Sequence, residues 1–426
     1  MEVLFTPSRS DWSRLTRRAT MDVSALFGTV RTVLDAVRAE GDAAVKRYEE
    51  QFDKVQLESL IVSDEEKEEA YRLVPDALKE AIRRAAENIR TFHASQRFTG
   101  QKVETAPGVV CWQKAVPIEK VGLYVPGGTA PLFSTVLMLA VPAQIAGCRE
   151  IVLCTPPGKD GKVHPAILFA AQVAGVHLVC KIGGSQAIAA MAYGTESVPK
   201  VYKIFGPGNQ YVTAAKQWVS LRDVAIDMPA GPSEVEVIAD LSANPEFIAA
   251  DFLSQAEHGV DSQALLVTTE AALVEPVREA IERQLARLPR KEITAKALEH
   301  SRIIVLKDKQ EVIDFTNAYA PEHLIIQTSD YADLAERIEN AGSIFMGPYT
   351  PESAGDYASG TNHTLPTNGY AHAYSGVNLD SFIKKMTFQE ISASGIRDLG
   401  DTIRTMAENE QLEAHRNAVT VRLNAL

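Results

Sequence analysis

The sequence is poor in cysteine, and this limits the kinds of site that it can form. Its 426 residues include four cysteines, none of them in a Cys-x-x-Cys pair: Cys111, Cys148, Cys154 and Cys180. Disulfide frameworks and thiolate metal sites depend on paired or clustered cysteines. We therefore expect neither, and we predict that the four thiols are small buried hydrophobic groups.

Positive charge is also scarce, because 43 Lys and Arg stand against 55 Asp and Glu and give a net charge of -12. Nucleic-acid binding depends on a basic surface that neutralises phosphates. The charge balance therefore argues against nucleic acid as a partner.

Long apolar runs are absent as well. The most apolar stretch, residues 136–147, is interrupted by Pro142 and Gln144, and it is shorter than the roughly 20 residues that span a bilayer. The basic residues Arg14, Arg17 and Arg18 are not followed by the apolar core of a secretory signal. We therefore expect no membrane partner and a cytoplasmic protein.

From about residue 121 onward, short apolar runs alternate with segments of helical composition. Strands are predicted at 121–125, 151–155, 176–182, 201–205 and 235–239, and in a second series at 264–268, 303–306, 324–327 and 343–346. This alternation indicates parallel sheets covered by helices, and the length exceeds one ordinary core. The predicted fold is α/β, with two doubly wound, incomplete Rossmann-like parallel-sheet domains and helical N- and C-terminal extensions.

We predict four parts of the chain. Residues 1–22 form an N-terminal arm, residues 23–120 with 236–370 form a first α/β domain, residues 121–235 form a second, and residues 371–426 form a helical tail.

Two short motifs far apart in the chain carry residue types used in catalysis. Gln255 and His258 are three residues apart, which on a helix places both side chains on one face, where they could hold a metal ion. Glu322 and His323 place an acid beside an imidazole at the start of an apolar run and resemble an acid–base pair.

Two further segments, 352–363 and 410–415, are rich in metal-ligand types. Imidazole and oxygen ligands suit zinc, manganese or cobalt better than magnesium. These residues indicate a metal-assisted enzyme. A metal-dependent hydrolase, with Glu322 activating water, and a catalytically silent binding protein are the alternatives.

Three predicted strands end in glycine turns that open a helix, at Gly127-Gly128, Gly183-Gly184 and Gly206-Pro207-Gly208. Free backbone N–H groups at a helix start suit a phosphate, and ligands of open parallel sheets bind at the carboxyl ends of strands. The Gly-x-Gly-x-x-Gly fingerprint is missing. The glycine turns are therefore consistent with two interpretations, a dinucleotide-binding site and ordinary turns between a strand and a helix.

Eight segments in a specific order resemble the histidinol dehydrogenase family over nearly the whole chain. They are VPIEKVGLYVPGGTAPLFST (116–135), GGSQ (183–186), FGPGNQYV (205–212), DMPAGPSEV (227–235), LSQAEH (253–258), APEHL (320–324), ESAGDYASGTNHTLPT (352–367) and AHRNA (414–418). The first twenty residues match the family weakly.

The resemblance implies a homodimeric enzyme with one zinc ion per subunit that oxidises L-histidinol to L-histidine, through L-histidinal, with two NAD. This reaction is the last step of histidine biosynthesis. Residues 121–235 would bind NAD, the first domain would carry most metal and catalytic residues, and the tail would serve dimerisation and supply a metal ligand.

The resemblance also implies a role for individual residues. The zinc ligands would be Gln255, His258, Asp356 and His415, with His415 donated to the site of the neighbouring subunit. The NAD contacts would be Tyr124, Gln186 and Asn209. Glu322 and His323 would be the catalytic pair. From their chemistry we assign the role of base to His323, as a neutral imidazole with an unperturbed pKa near roughly 6.5, and the activation of water to Glu322. The substrate would contact Ser233, Gln255, His258, His323, Asp356, His363, Glu410 and His415.

Overall fold

The computed structural model describes residues 1–18, 23–127, 130–228 and 231–426. Gly128 of the first predicted glycine turn, and the stretches 19–22 and 229–230, lie outside the described residues. The strands of the described residues are β1 (Glu2–Phe5), β2 (Val103–Ala106), β3 (Val109–Pro117), β4 (Lys120–Tyr124), β5 (Glu150–Thr155), β6 (Leu178–Lys181), β7 (Lys203–Phe205), β8 (Ala225–Ile226), β9 (Glu234–Ala239), β10 (Gln263–Thr268), β11 (Arg302–Val305), β12 (His323–Gln327), β13 (Ser343–Met346) and β14 (Ile383–Ile391).

The helices of the same residues are α1 (Trp12–Leu15), α2 (Phe27–Glu40), α3 (Asp42–Tyr48), α4 (Asp64–Leu73), α5 (Asp76–Ala94), α6 (Phe133–Ala146), α7 (Pro165–Val173), α8 (Gly184–Tyr193), α9 (Gln210–Ser220), α10 (Pro245–Ala256), α11 (Val274–Leu285), α12 (Lys291–Glu299), α13 (Lys309–Tyr319), α14 (Tyr331–Ala335), α15 (Glu352–Tyr357), α16 (Ala393–Asn409) and α17 (Glu413–Asn424). A π-helical turn, Glu49–Asp53, follows α3. None of these helices combines the length and the apolar composition that crossing a bilayer requires.

Two parallel sheets share one winding pattern. The six-stranded sheet has the order β1-β11-β10-β9-β12-β13, and the five-stranded sheet has the order β6-β5-β4-β7-β8. In each sheet, five strands that follow one another in the chain run in the order third, second, first, fourth, fifth. This is the doubly wound, incomplete Rossmann arrangement, and it confirms the predicted fold class.

The strands of the six-stranded sheet are apolar because both faces are covered. Val235 and Val237 of β9 belong to one buried cluster, whereas Ile238 belongs to the cluster on the opposite face. Strands buried on both sides read as nearly continuous apolar runs. This is why the sequence pattern located β9 to β13 of this sheet.

The helices of residues 27–94 surround the five-stranded sheet. Helix α2 packs on α8 and α9, α4 packs on α7, and α5 packs on α6. The sequence predicts that residues 23–120 group with residues 236–370. We propose that most of residues 23–120 belong with residues 121–228, because the apolar faces of their helices are buried there.

Both chain ends contain a strand that the sequence prediction lacked. Strand β1, within the predicted N-terminal arm, pairs in parallel with β11 at the edge of the six-stranded sheet. Strand β14, within the predicted helical tail, pairs antiparallel with β3, from Ile383 opposite Pro117 to Ile391 opposite Val109. The order β14-β3-β2 forms a third, antiparallel sheet, and α16 and α17 follow it and pack on each other.

Candidate active site

The ends of two helices bring metal-ligand types together. Helix α10 begins with Pro245 after the capping residue Asn244, and Gln255 lies in its last turn. His258 lies two residues beyond the helix, in a turn in which its N–H donates to Gln255 O at 3.2 Å. The predicted shared helical face is therefore a helix end and the turn that follows it. Glu352 and Asp356 lie four residues apart in α15, which places them on one face.

These residues form one cluster. A ligand atom from each of His258, Glu352 and Asp356 lies within 4.8 Å of the other two. In the amide orientation that satisfies both of its polar atoms, Gln255 donates from Nε2 to Glu352 Oε1 at 2.9 Å and to Glu234 O at 3.3 Å. The structure thus brings three predicted ligands together and adds Glu352, which was not predicted as a ligand.

The donor set of this cluster fits a divalent cation. Glu352 Oε2 and His323 Nε2 are buried and have no hydrogen-bond partner among the described residues, although buried polar atoms in folded proteins are nearly always paired. Carboxylate, imidazole and amide groups converge here, and the thiols lie elsewhere. Nitrogen and oxygen ligands of this kind are typical of zinc sites.

The residue Glu234 holds both members of the predicted catalytic pair. Helix α13 ends at Tyr319, and Ala320 adopts a left-handed backbone (φ 52°) that turns the chain into β12. On the neighbouring strand β9, Glu234 N donates to Glu322 Oε2 at 2.9 Å, and Glu234 O accepts from His323 Nδ1 at 3.2 Å. Both side chains are buried and fixed against one backbone segment.

Three carboxylates surround the His323 ring. Its Nδ1 lies 3.6 Å from Glu322 Oε2 and 3.9 Å from Glu352 Oε1, and its Nε2 lies 3.7 Å from Asp356 Oδ1. Burial alone would lower the pKa of His323, but the negative charges outweigh it and raise that pKa to about 10. In the metal-free protein this pKa therefore lies above the unperturbed value near roughly 6.5 that the sequence alone suggests. Burial raises the pKa of Glu322 and of Glu352 to about 8 each.

His363 connects the cluster to the five-stranded sheet. Its Nδ1 donates to Asp356 O at 3.0 Å, and its Nε2 lies 3.1 Å from Thr135 Oγ1 at the start of α6. Because α6 follows β4, this contact joins the two doubly wound halves beside the cluster.

The other predicted substrate contacts are more dispersed. Ser233 is half-buried directly before β9. Glu410 and His415 are exposed, the first just beyond α16 and the second in the first turn of α17. Neither belongs to the cluster of His258, Glu352 and Asp356 within the described part of this chain.

A cavity of about 900 Å³ lies at the carboxyl ends of the five-stranded sheet and contains the three predicted NAD contacts. Tyr124 Oη accepts from Gly184 N at 3.1 Å. Asn209 caps α9 by accepting from the N–H groups of Tyr211 and Val212. Gln186 Nε2 donates to Glu49 Oε1 at 2.8 Å.

Two close contacts involve residues that line this cavity, Tyr124 and Gln186. Gly206 has a φ of 120°, and a Cβ there would lie 2.0 Å from Tyr124 O, so that only glycine fits. Glu49, which is fully buried, also accepts from Gly183 N at 2.9 Å. Glu49 is not predicted from the sequence, since a glutamate in the polar stretch Glu49-Glu50-Gln51 gives no distinctive pattern.

Comparisons with known proteins agree along the whole chain. A family model described as histidinol dehydrogenase matches residues 16–423. The chain belongs to the histidinol dehydrogenase family. It is 68% identical to histidinol dehydrogenase of Bacteroides thetaiotaomicron over 426 residues, which cover 100% of both chains. It is 54% identical to that of Escherichia coli strain K12 over 414 residues, which cover 97% of this chain and 94% of the relative.

A solved structure agrees in fold with this chain. The crystal structure of histidinol dehydrogenase from Elizabethkingia anophelis has a TM-score of 0.98 and 53% identity, and the match covers 100% of this chain and 98% of that chain. Membership of the histidinol dehydrogenase family confirms the predicted enzyme class, an NAD-dependent dehydrogenase. It does not favour the metal-dependent hydrolase.

Proposed function

We propose that the protein oxidises L-histidinol to L-histidine through L-histidinal, reducing two NAD, as the last step of histidine biosynthesis. The observation that carries this proposal is the Glu322–His323 pair, held by Glu234 next to the cluster of His258, Glu352 and Asp356. The pair supplies proton acceptors, and the cluster supplies a place to anchor a nitrogen-rich substrate. The cytoplasm, where NAD-dependent biosynthesis draws on soluble pools, is the proposed location.

The metal part of the proposal is one zinc ion held by Gln255, His258 and Asp356, with His415 of a second subunit as the fourth ligand. When bound, the ion would orient the amino and imidazole nitrogens of histidinol, and its charge would lower the pKa of the neighbouring His323. Glu352, which accepts from the Gln255 amide, would hold that ligand in place.

The first oxidation removes a hydride from the alcohol carbon and a proton from the hydroxyl. We assign the proton to His323 Nε2, because Nδ1 already donates to Glu234 O. The aldehyde then adds water: the water oxygen bonds to the carbonyl carbon as Glu322 takes one of its protons, and the former carbonyl oxygen takes up a proton, which gives the hydrated aldehyde. The hydrated aldehyde loses a second hydride and a second proton, which gives the carboxylic acid. Retention of the aldehyde in a buried site would prevent loss of a reactive intermediate.

NAD, which accepts the hydrides, belongs in the 900 Å³ cavity against Tyr124, Gln186 and Asn209. The His363–Thr135 contact supports this placement, since it ties the metal-ligand helix α15 to the start of α6 on the cofactor side. His363 and Ser233 would contact the substrate between the two sides.

The overall reaction is tested by counting NADH. We expect two NADH per L-histidinol, loss of this activity on chelation, and its return on addition of zinc. The measurement is absorbance at the NADH band with limiting histidinol. A purified protein that forms no NADH with any metal would contradict the proposed function.

The dimer is part of the proposal, and His415 provides its test. His415 and Glu410 are exposed and stand apart from the cluster of their own chain, which supports donation to a neighbour. We expect His258→Ala and His415→Ala to be inactive separately. Co-expressed, they should regain about a quarter of wild-type activity, because half of randomly formed dimers are mixed and each mixed dimer has one complete site.

The control for this experiment replaces His415→Ala with His372→Ala, a change to another exposed histidine. The His372→Ala variant should be active by itself, so that its mixture with His258→Ala shows no activity that depends on mixed dimers. If the His258→Ala and His415→Ala mixture stays inactive although mixed dimers are detected by mass spectrometry, His415 does not act across subunits.

A further inference from the structure

A buried polar cluster under the catalytic pair involves the N-terminal arm. Its members are Arg18, Glu234, Tyr319 and Gln263. The side chains of Arg18 and Glu234 are 10% and 1% exposed. Burying such an ion pair costs free energy unless hydrogen bonds satisfy both charged groups. Its position next to the catalytic pair therefore suggests a role in the active site.

Arg18 contacts two different elements. It donates from Nε to Glu234 Oε2 at 2.6 Å and from Nη2 to Glu234 Oε1 at 3.3 Å. The same Nη2 donates to the carbonyl oxygens of Tyr319 and Ala320. The guanidinium also lies over the Tyr319 ring, 3.7 Å from its centroid. Arg18 therefore joins the start of β9 to the end of α13.

The start of β9 and the end of α13 both help to position Glu322 and His323. The backbone of Glu234 binds Glu322 through its N–H and His323 through its carbonyl. Ala320, whose carbonyl accepts from Arg18, is the left-handed residue two positions before Glu322. A shift of either element would move Glu322 and His323 relative to each other.

Further contacts make this arrangement rigid. Tyr319 Oη lies 3.1 Å from Glu234 Oε2 and 2.8 Å from Gln263 Oε1, and its single proton can be donated to either oxygen. Asn368 N donates to Glu234 Oε1 at 2.8 Å. With these bonds the Glu234 carboxylate is held by Arg18, Tyr319 and Asn368. Tyr319 is itself part of the turn before the catalytic pair, and Arg18 contacts that turn through the Tyr319 and Ala320 carbonyls.

We propose that Arg18 is a positioning residue, which sets the geometry of the Glu322–His323 pair from the N-terminal arm. This inference rests on the proposed roles of Glu322 and His323. Arginine suits the task because its planar fork can bind a carboxylate and carbonyls at once, whereas the lysine ammonium is a compact charge whose three N–H donors share one nitrogen.

The test compares Arg18→Lys and Arg18→Ala with Arg14→Ala. Arg14 lies in the same arm, but it pairs with Glu2 at the surface, where both side chains are about half exposed. We expect kcat to fall by about 10–100-fold in Arg18→Lys, the loss expected for a misplacement near 1 Å. The KM for histidinol should stay within roughly threefold of wild type, because no metal ligand is touched. Arg14→Ala should keep wild-type kcat.

Rescue separates positioning from general damage. Arg18→Ala leaves Glu234 buried without its cation, and this variant is also expected to lose stability. Guanidinium at millimolar concentration should restore part of its kcat. Arg18→Lys keeps the positive charge. If Arg18→Ala does not fold, the kcat of Arg18→Lys still tests the positioning role.

A second readout needs no turnover. In protein labelled with ¹⁵N-histidine, the His323 Nδ1 resonance, assigned by its loss in His323→Asn, should shift in Arg18→Lys and stay in place in Arg14→Ala. An unshifted resonance together with unchanged kcat in Arg18→Lys would overturn the inference. Absence of NADH formation by wild type would instead contradict the proposed function, and the resonance would still decide the role of Arg18.

Discussion

Replacing His323 with asparagine should reduce kcat for histidinol oxidation by on the order of 10²–10⁴-fold, the usual contribution of a positioned general base. The asparagine amide can still donate to Glu234 O, as His323 Nδ1 does at 3.2 Å. It has no basic nitrogen in place of Nε2. The variant therefore retains the hydrogen bond that fixes the strand and loses the proton acceptor. Steady-state kinetics with histidinol and with histidinal measure the effect on each oxidation.

The matched control is His372→Asn, which changes an exposed histidine outside the cluster. Its kcat and its melting temperature should equal those of the wild type. If His323→Asn retains more than about a tenth of the wild-type kcat, His323 is not the base, since a base contributes at least on the order of 10²-fold.

The charge around His323 could not be read from the sequence. Glu322 is its neighbour in the chain, but Glu352 and Asp356 reach it through α15, which comes after another strand. Local sequence therefore suggested an ordinary imidazole. Tertiary packing surrounds it with three carboxylates, which favour the protonated form and raise its pKa.

The strands that the sequence located and those that it missed differ in burial. The cores of β9 and β10 are apolar runs that are buried along their whole length, and the structure has strands there. Strand β14 includes Lys384, Lys385 and Glu390, and most of its residues are exposed. A strand in an exposed antiparallel sheet shows little apolar excess, and its pairing with β3 involves residues far apart in the chain.

The helical periodicity of the sequence predicts where helices form, but not which elements they pack against. The apolar face of α5, with Ile82 and Ile89, predicts burial. It does not tell which sheet covers that face, and the structure places it against α6. The sequence likewise predicts no active-site role for Arg18, because that role depends on contacts with Glu234 and Ala320, which are distant in sequence.

Replacing Glu322 with glutamine should separate the two oxidations. Glutamine can accept the hydrogen bond from Glu234 N that Glu322 Oε2 now accepts at 2.9 Å, so the position of His323 is kept. Its amide cannot take a proton from water. We expect the first hydride transfer to continue and histidinal oxidation to fall by on the order of 10²–10⁴-fold. The NADH yield should drop from two per histidinol towards one, and hydroxylamine should trap the aldehyde.

The control is Glu339→Gln, an exposed carboxylate, which should leave the yield at two. If Glu322→Gln still forms two NADH per histidinol at the wild-type rate, another group activates the water. Glu352 is then the first to test, because its Oε1 lies 3.9 Å from His323 Nδ1 and its Oε2 is buried without a partner among the described residues. A yield of one NADH with full release of histidinal would assign different protons to the two neighbouring residues. His323 would accept the proton of the alcohol, and Glu322 would accept the proton of the water that hydrates the aldehyde.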